Sequence, residues 1–500
     1  MEILHHLSYG FSVALQPMNL FFCFIGVFVG TLIGVLPGIG PPGAMALLLP
    51  VTYGISPVGA IIMLAGIYYG AMYGGSTTSI LVNIPGEPAS VVTCIDGHQM
   101  ALQGRAGPAL GISAFSSFIA GTLGLVGLML ISNPLAEIAV KFGPTEYFSL
   151  MCLGMTILVY LTQGSILRGL MMAGIGLFLS LIGQDIVTGK PRFHFGLIGL
   201  VDGVGLIPLV MGLYGVSDIL LNLEKVAERT VAKVRTQGLL PTKEDWRKSA
   251  WPISRGTLLG FFLGILPGGG TILATFLSYG LEKKLSKHPE QFGKGAIEGV
   301  AGPEAANNAA SSGAFIPLFS LGIPPNVIIA LLLGALMIHG IQPGPLIFTD
   351  HPEIFWGTVA SMYIGNVMLL VLNLPLIGMW VKILKIPYKT LFPLVLLFCL
   401  IGVYCASANV FDIYIMVIFG FLGYGLQKLS YEPAPLVMAF VLGPLLEKNL
   451  RQALIMSGGS MKVFASRPIS AAALLVALFM VVSAAIPALQ KRRKKVITEE

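Results

Sequence analysis

Polar side chains are scarce in this chain, and those able to do chemistry gather in two stretches. One is GSTTSILVNIPGEPAS, Gly75–Ser90; the other is GPEAANNAASSGAFIPLFSLGIPPN, Gly302–Asn326. Each joins a cluster of hydroxyl or amide residues to a proline-interrupted backbone. Proline removes a helical hydrogen bond and clashes with the preceding turn, so the backbone there has free groups. Freed N–H groups and hydroxyls suit the oxygens of an anion, while freed carbonyls with hydroxyl and amide oxygens suit a hard cation such as Na⁺. The substrate-binding candidates are therefore Gly75, Ser76, Thr77, Thr78, Asn83 and Pro85 in one stretch, and Ser311, Ser312, Pro324 and Asn326 in the other. Asn307, Asn308, Gly38 and Gly268 are candidates for a Na⁺ site. An isolated serine in an apolar helix serves close packing; clusters beside paired prolines favour a ligand surface.

Two carboxylates stand in these stretches, Glu87 and Glu304. An ionisable group at membrane depth is costly and points to function. Each is a candidate for ion coupling, carrying a proton or holding a cation. The competing expectation is that each caps a helix at the interface, and Pro303–Glu304 has the composition of a helix start. Asp96 and Arg105 read as an ordinary exposed connection, His98 and His339 as structural or interfacial. Lys141, Lys382 and Lys385 are expected to snorkel to headgroups. Other chemistries find little support. GIGPPG, Gly38–Gly43, has the glycine spacing of a dinucleotide loop but two prolines inside it. There is no phosphate-binding GxxxxGK[ST] loop and no HExxH. A hydrolase built on Ser76 or Ser311 would lack a histidine in the same segment. The five cysteines show no metal spacing. No cofactor is expected, only Na⁺ or H⁺ as a coupling ion.

The elements that position these residues must lie in a bilayer. The 500 residues are 55% hydrophobic and 11% charged, with mean hydropathy +0.84. Soluble domains are about a quarter charged. Between Ile3 and Gly86 there is no Asp, Glu, Lys or Arg at all. A helix needs about 20 apolar residues to span the hydrocarbon core. Several charge-free windows supply that, among them Ala106–Ala136, Gly256–Leu281 and Ala305–Thr349. The expectation is an all-α polytopic membrane protein with about twelve transmembrane helices; the windows do not alternate as barrel strands do. No cleavable signal peptide is evident, so the first apolar segment is expected to remain as a helix. The net charge of +7 is local rather than a nucleic-acid signal. Eight basic residues lie between Lys225 and Arg255, and five form the tail Lys491–Lys495. The positive-inside rule puts both regions in the cytoplasm.

The chain also repeats itself. LPGIGPPG, from Leu36, answers to LPGGG, from Leu266; LVNIPGEP, from Leu81, answers to SLGIPPN, from Ser320. QGRAGPAL and IQPGPLI follow, then KFGPTEYF and KIPYKTLF, always in the same order. The expected division is a first membrane repeat over 1–222, a basic linker over 223–255, a second repeat over 256–459, and a final helix with its basic tail over 460–500. The loop after the first motif, TYGISP, is uncharged, whereas its counterpart LEKKLSKHPEQFGKG carries four lysines. Opposite basic bias in equivalent loops implies inverted topology. The Pro/Gly-broken or re-entrant helices should then meet near the midplane and form the ligand surface. Glu87 has no acidic counterpart, because Pro325 or Asn326 falls near the equivalent place.

These compound motifs, over roughly Phe21 to Gly459, resemble those of the large membrane subunit of the tripartite tricarboxylate transporters, the TctA family. The resemblance implies ion-gradient-driven secondary uptake of citrate-like di- and tricarboxylates across the bacterial inner membrane. It also implies two partners, a small four-helix membrane subunit and a periplasmic solute-binding protein. The alternatives are a passive anion channel and, less in keeping with the motifs, a membrane-embedded hydrolase.

Overall fold

The computed structural model describes residues 2–36, 40–161, 165–185, 188–224, 238–268, 270–384 and 388–485. Within these, the regular structure is helical apart from one two-stranded hairpin, Gly183–Gln184 with Pro191–Arg192. Seven helices are long and apolar enough to cross a bilayer, and four shorter apolar helices accompany them. The seven fall below the twelve crossings expected because prolines and glycines cut several apolar windows into pieces; Ala305–Thr349, for instance, takes in the end of Glu298–Gly313, the whole of Phe315–Leu321 and Val327–Ile338, the start of Ile347–Asp350, and the breaks between them.

Both LPG motifs end a helix in extended backbone, at Leu36 after Pro17–Val35 and at Leu266 after Lys243–Ile265. The chain then doubles back. Helix Gly270–Leu285 returns beside Lys243–Ile265, and Arg255 closes the pair by donating to both oxygens of Glu282, at 2.8 and 2.5 Å. In the first half the chain has returned by Gly59, which lies against Phe22. Helix Lys243–Ile265 begins inside the segment expected to be linker, nucleated by a capping box in which Thr242 and Asp245 satisfy each other's backbone N–H. The expected linker residues 225–237 and the basic tail lie outside the described residues.

Two helices form the centre: Pro57–Val82, buried from Gly59 onward, and Glu298–Gly313, buried from Gly299 onward. Lipid is as apolar as leucine, so burial alone does not hold such helices together; close backbone approach does. Gly26, Gly30 and Gly34 face Met63, Ile67 and Ala71, and Gly66, Gly70 and Gly74 face back across the same contact. In the second half Gly256, Gly260 and Gly264 meet Gly302, Ala306 and Ala310. A Cβ added at Gly260 would sit 2.1 Å from the Ala306 carbonyl oxygen. The same four-residue spacing thus builds the same parallel pair twice.

Candidate functional site

Each central helix ends in a break of identical backbone design. Helix Pro57–Val82 terminates at Asn83 with φ 57°, and Phe315–Leu321, which continues the second central helix, terminates at Gly322 with φ 68°. This left-handed conformation stops a helix and suits glycine or asparagine. Two prolines or a Pro-Gly pair follow and carry the chain in extended form to a new N-cap. That cap is Glu87 (φ −148°, ψ 160°) in the first break and Asn326 (φ −149°, ψ 169°) in the second. Glu87 Oε2 accepts from the Ala89 N–H at 2.7 Å, and Asn326 Oδ1 from the Ile329 N–H at 2.9 Å. Asn326 is therefore the counterpart of Glu87, and one break carries a carboxylate where the other carries an amide.

Each break rests on its own half's hairpin tip. Gly268, with φ +91°, donates its N–H to the Pro325 carbonyl at 2.8 Å. Gly86 packs so tightly on Gly34 that a Cβ would meet that carbonyl oxygen at 2.0 Å. Thr78 donates to the Val35 carbonyl at 2.8 Å, stitching the first tip to the central helix.

The two halves then share one buried polar seam. Glu304 Oε2 accepts from Ser76 at 2.7 Å and Ser117 at 3.3 Å, and Oε1 accepts from Thr93. Asn308 donates to Ser117 Oγ at 2.7 Å. A turn away, Asn307 Nδ2 donates to Glu87 Oε1 at 3.0 Å, and Asn326 Nδ2 donates to the Tyr68 hydroxyl at 3.2 Å. Glu87, Glu304 and Asn307 are each under 5% exposed. Neither carboxylate has an ion-pair partner among the described residues; each is held by neutral donors alone. The Asn307 Oδ1 and Tyr73 hydroxyl are buried without a hydrogen-bond partner there.

The structure thus brings together Ser76, Glu87, Glu304, Asn307, Asn308 and Asn326. Gly75 joins them as a packing surface, since a Cβ on it would lie 2.8 Å from Glu87 Cγ. Thr77 is buried beside Ser76. Ser311 and Ser312 donate back along their own helix, to the Asn307 and Asn308 carbonyls, and Ser312 also reaches the Gly121 carbonyl. Thr78 is taken up by the hairpin tip, Pro85 and Pro324 shape the breaks, and Asn83 is exposed. Gly38 lies outside the described residues.

Three expectations need correction. Glu304 does not start a helix; it sits within Glu298–Gly313, one residue past Pro303. Glu87 does cap a helix, but in the buried seam rather than at the interface. Asp96 is fully buried, not an exposed connector. Its Oδ1 accepts from the backbone N–H groups of Gly293, Gly295 and Ala296 at 2.7–2.9 Å, and its Oδ2 from the Tyr279 hydroxyl at 2.9 Å. Arg105 pairs with Asp245 at 2.5 Å. His98 Nδ1 lies 3.0 Å from the Ile80 carbonyl, a structural contact. Lys141 and Lys382 are exposed, and Lys385 lies outside the described residues. Sequence reading did not single out Tyr68, Thr93 or Ser117. A lone hydroxyl in an apolar helix gives no sign of its partner across the molecule.

Comparison with known proteins decides the assignment. The model of the tripartite tricarboxylate transporter TctA family matches residues 20–438. The chain belongs to the TctA family. Both broken segments and both central helices of this TctA protein lie inside the matched region. It is 52% identical over its whole length to an uncharacterised 52.8 kDa protein of Agrobacterium vitis from the TAR-I ttuC′ 3′ region, which it covers completely. Over 241 residues, 48% of its length, it is 53% identical to an uncharacterised protein from the TAR-II ttuC′ 3′ region of the same organism, again covering all of that protein. No solved structure matches it. Membership makes it a multi-pass membrane protein of a transporter family rather than of an enzyme family.

Proposed function

We propose that this protein is the permease subunit of a tripartite system that takes di- and tricarboxylates across the bacterial inner membrane, driven by a Na⁺ or H⁺ gradient. The observation that carries the reading is the seam itself: two breaks of one design, one from each half, joined by buried Ser76–Glu304 and Glu87–Asn307 contacts. Such matched interruptions are where transporters of repeated architecture hold substrate. The order of elements and the recurring glycine contacts support two repeats of about six crossings each. The central segments of the two halves meet in opposite senses, with Ser76 at Glu304 and the earlier Tyr68 at the later Phe315, which supports an inverted relation between the halves.

In this reading substrate carboxylates bind at the breaks, to backbone N–H groups and near the Ser76 hydroxyl, which faces the seam, with Thr77 the next residue along the helix. The Asn326-capped helix Val327–Ile338 offers its N-terminal end without an acidic cap, unlike the helix behind Glu87. One repeat-derived unit moves against the rest to expose the site alternately. A co-bound cation lowers the cost of carrying a polyanion through low dielectric. The linker and the basic tail face the cytoplasm, and a small four-helix subunit and a periplasmic binding protein complete the system. The test is uptake of labelled citrate into proteoliposomes holding the complete system, with and without an imposed Na⁺ or proton gradient. Gradient-dependent accumulation is expected. Equilibration without accumulation would identify a channel, and product formation in detergent a hydrolase.

A further inference from the structure

The end of the molecule beside the linker is clasped, and the opposite end is not. Helix Val91–Met100, which follows the first break, carries Asp96 to the second half. There Asp96 accepts from the Tyr279 hydroxyl of helix Gly270–Leu285 at 2.9 Å. It also accepts from three backbone N–H groups of the strap 286–297, at 2.7–2.9 Å. Further on, Gln103 donates to the Lys294 carbonyl at 2.7 Å, and Arg105 pairs with Asp245 at 2.5 Å. Asp245 stands in the first turn of Lys243–Ile265, so the clasp lies at the linker end.

The repeat locates the same place in the other half. Tyr279 lies 13 residues after Leu266 (279 − 266), as Leu49 lies 13 after Leu36 (49 − 36). Asp96 lies nine residues after its cap Glu87 (96 − 87), as Ala335 lies nine after Asn326 (335 − 326). The phenol is answered by a leucine and the carboxylate by a methyl group. The strap is answered by residues 55–56 alone, between Leu49–Gly54 and Pro57–Val82. No equivalent clasp can form there. A cavity of about 600 Å³ opens instead, with Leu49, Gly334 and Met337 in its walls. Leu206 and Asp412 also line it. They begin the spans Leu206–Glu224 and Val410–Lys428, whose other ends meet in the Glu224–Lys428 ion pair beside the linker. The cavity is thus a full crossing away from the linker end.

We propose, resting on the transport reading, that this is the outward-open form: the cavity is the outer vestibule by which a carboxylate substrate enters, and the contact of Asp96 with Tyr279 and the strap is the closed inner gate. Helix Val91–Met100 ties that gate to the seam. Thr93 donates to Glu304, and Asp96, three residues on, holds the strap. Residues three apart share one side of a helix, so a shift of this helix at the seam pulls directly on the clasp. Asp96 releases four neutral donors together, and the gate opens as a unit.

Two experiments on the full chain test this. Gln103 and Lys294 are exposed and adjacent. Q103C/K294C, bridged by a short cleavable thiol cross-linker, staples the clasp in the geometry it already has. Citrate uptake by the complete system in proteoliposomes should fall at least about tenfold against the same protein before bridging, and return on reduction. A contact that only holds the fold together would tolerate the staple. The second experiment needs no substrate. Val441 lines the cavity, and V441C should react readily with an impermeant maleimide, followed at that position by mass spectrometry. Adding D96A frees the inner gate and should slow that reaction at least about tenfold, because the two ends open in turn; mere loosening of the fold would not slow it. Full uptake by the stapled protein, or V441C reacting as fast with D96A as without it, overturns the proposal. No citrate uptake by the parent, beside slowed labelling in D96A, would count against the transport reading and for the gate.

Discussion

At the scale of the residue, Glu87 is held by what surrounds it rather than by a partner charge. Its backbone is fixed as an N-cap, its stem lies on Gly75, and one oxygen meets Asn307. Gly75 is therefore glycine for reasons of space, not of backbone conformation. Gly75→Ala would press a methyl to within 2.8 Å of Glu87 Cγ and 3.2 Å of its backbone nitrogen. We expect G75A to fold, because alanine favours the helix by about 1 kcal/mol over glycine, but to lose at least about tenfold in citrate uptake, the equivalent of ~1.4 kcal/mol. Uptake at the parent rate, at equal protein in the vesicles, would show that Glu87 need not sit where it does.

At the scale of the element, the doubled glycine contacts set how near each hairpin lies to its central helix, and so where each LPG tip meets its break. Gly260→Leu would drive a side chain into the Ala306 carbonyl, 2.1 Å from the first added carbon. The two helices would have to separate, and Gly268 would leave Pro325. We expect G260L to appear as aggregate or at much reduced yield in size-exclusion chromatography. The same change at Gly425, where nothing lies within 4 Å, should give a monodisperse peak. Equal behaviour of the two variants would mean that the glycine contacts do not hold the pair.

At the scale of the whole molecule, Asp96 joins the first half to the second. It reaches from helix Val91–Met100 into the loop that precedes Glu298–Gly313, where three backbone N–H groups and Tyr279 receive it. Asp96→Ala leaves those donors unpaired, at about 1–3 kcal/mol for each one that water cannot reach. A lowered thermal midpoint is expected, together with faster proteolysis in the loop around Gly293; an unchanged cleavage pattern would mean the contact is dispensable.

The legibility of the sequence follows the same division of scale. The motif pairs at Leu36 and Leu266, and at Asn83 and Gly322, were readable because proline and glycine act locally on backbone. Even the counterpart of Glu87 was narrowed to Pro325 or Asn326. What was not readable was reach across the molecule. Asp96 sits in CIDGHQ, a stretch with the composition of a surface turn, and only the loop folded over it makes it buried. Ser117 and Thr93 were silent for the same reason: their partner, Glu304, is about two hundred residues away along the chain.

The mismatch between Glu87 and Asn326 reaches beyond ligand binding. Two identical inverted halves would make a machine whose inward and outward orientations are mirror images of equal energy, with no preferred direction of rest. An ionised Glu87, answered in the other half by the neutral amide of Asn326, would remove the equality. It also gives the membrane voltage a handle, worth about 2.3 kcal/mol per charge for each 100 mV crossed. If the halves move as proposed and Glu87 is ionised, the electrical state of the cell would bias the resting orientation before any solute arrives.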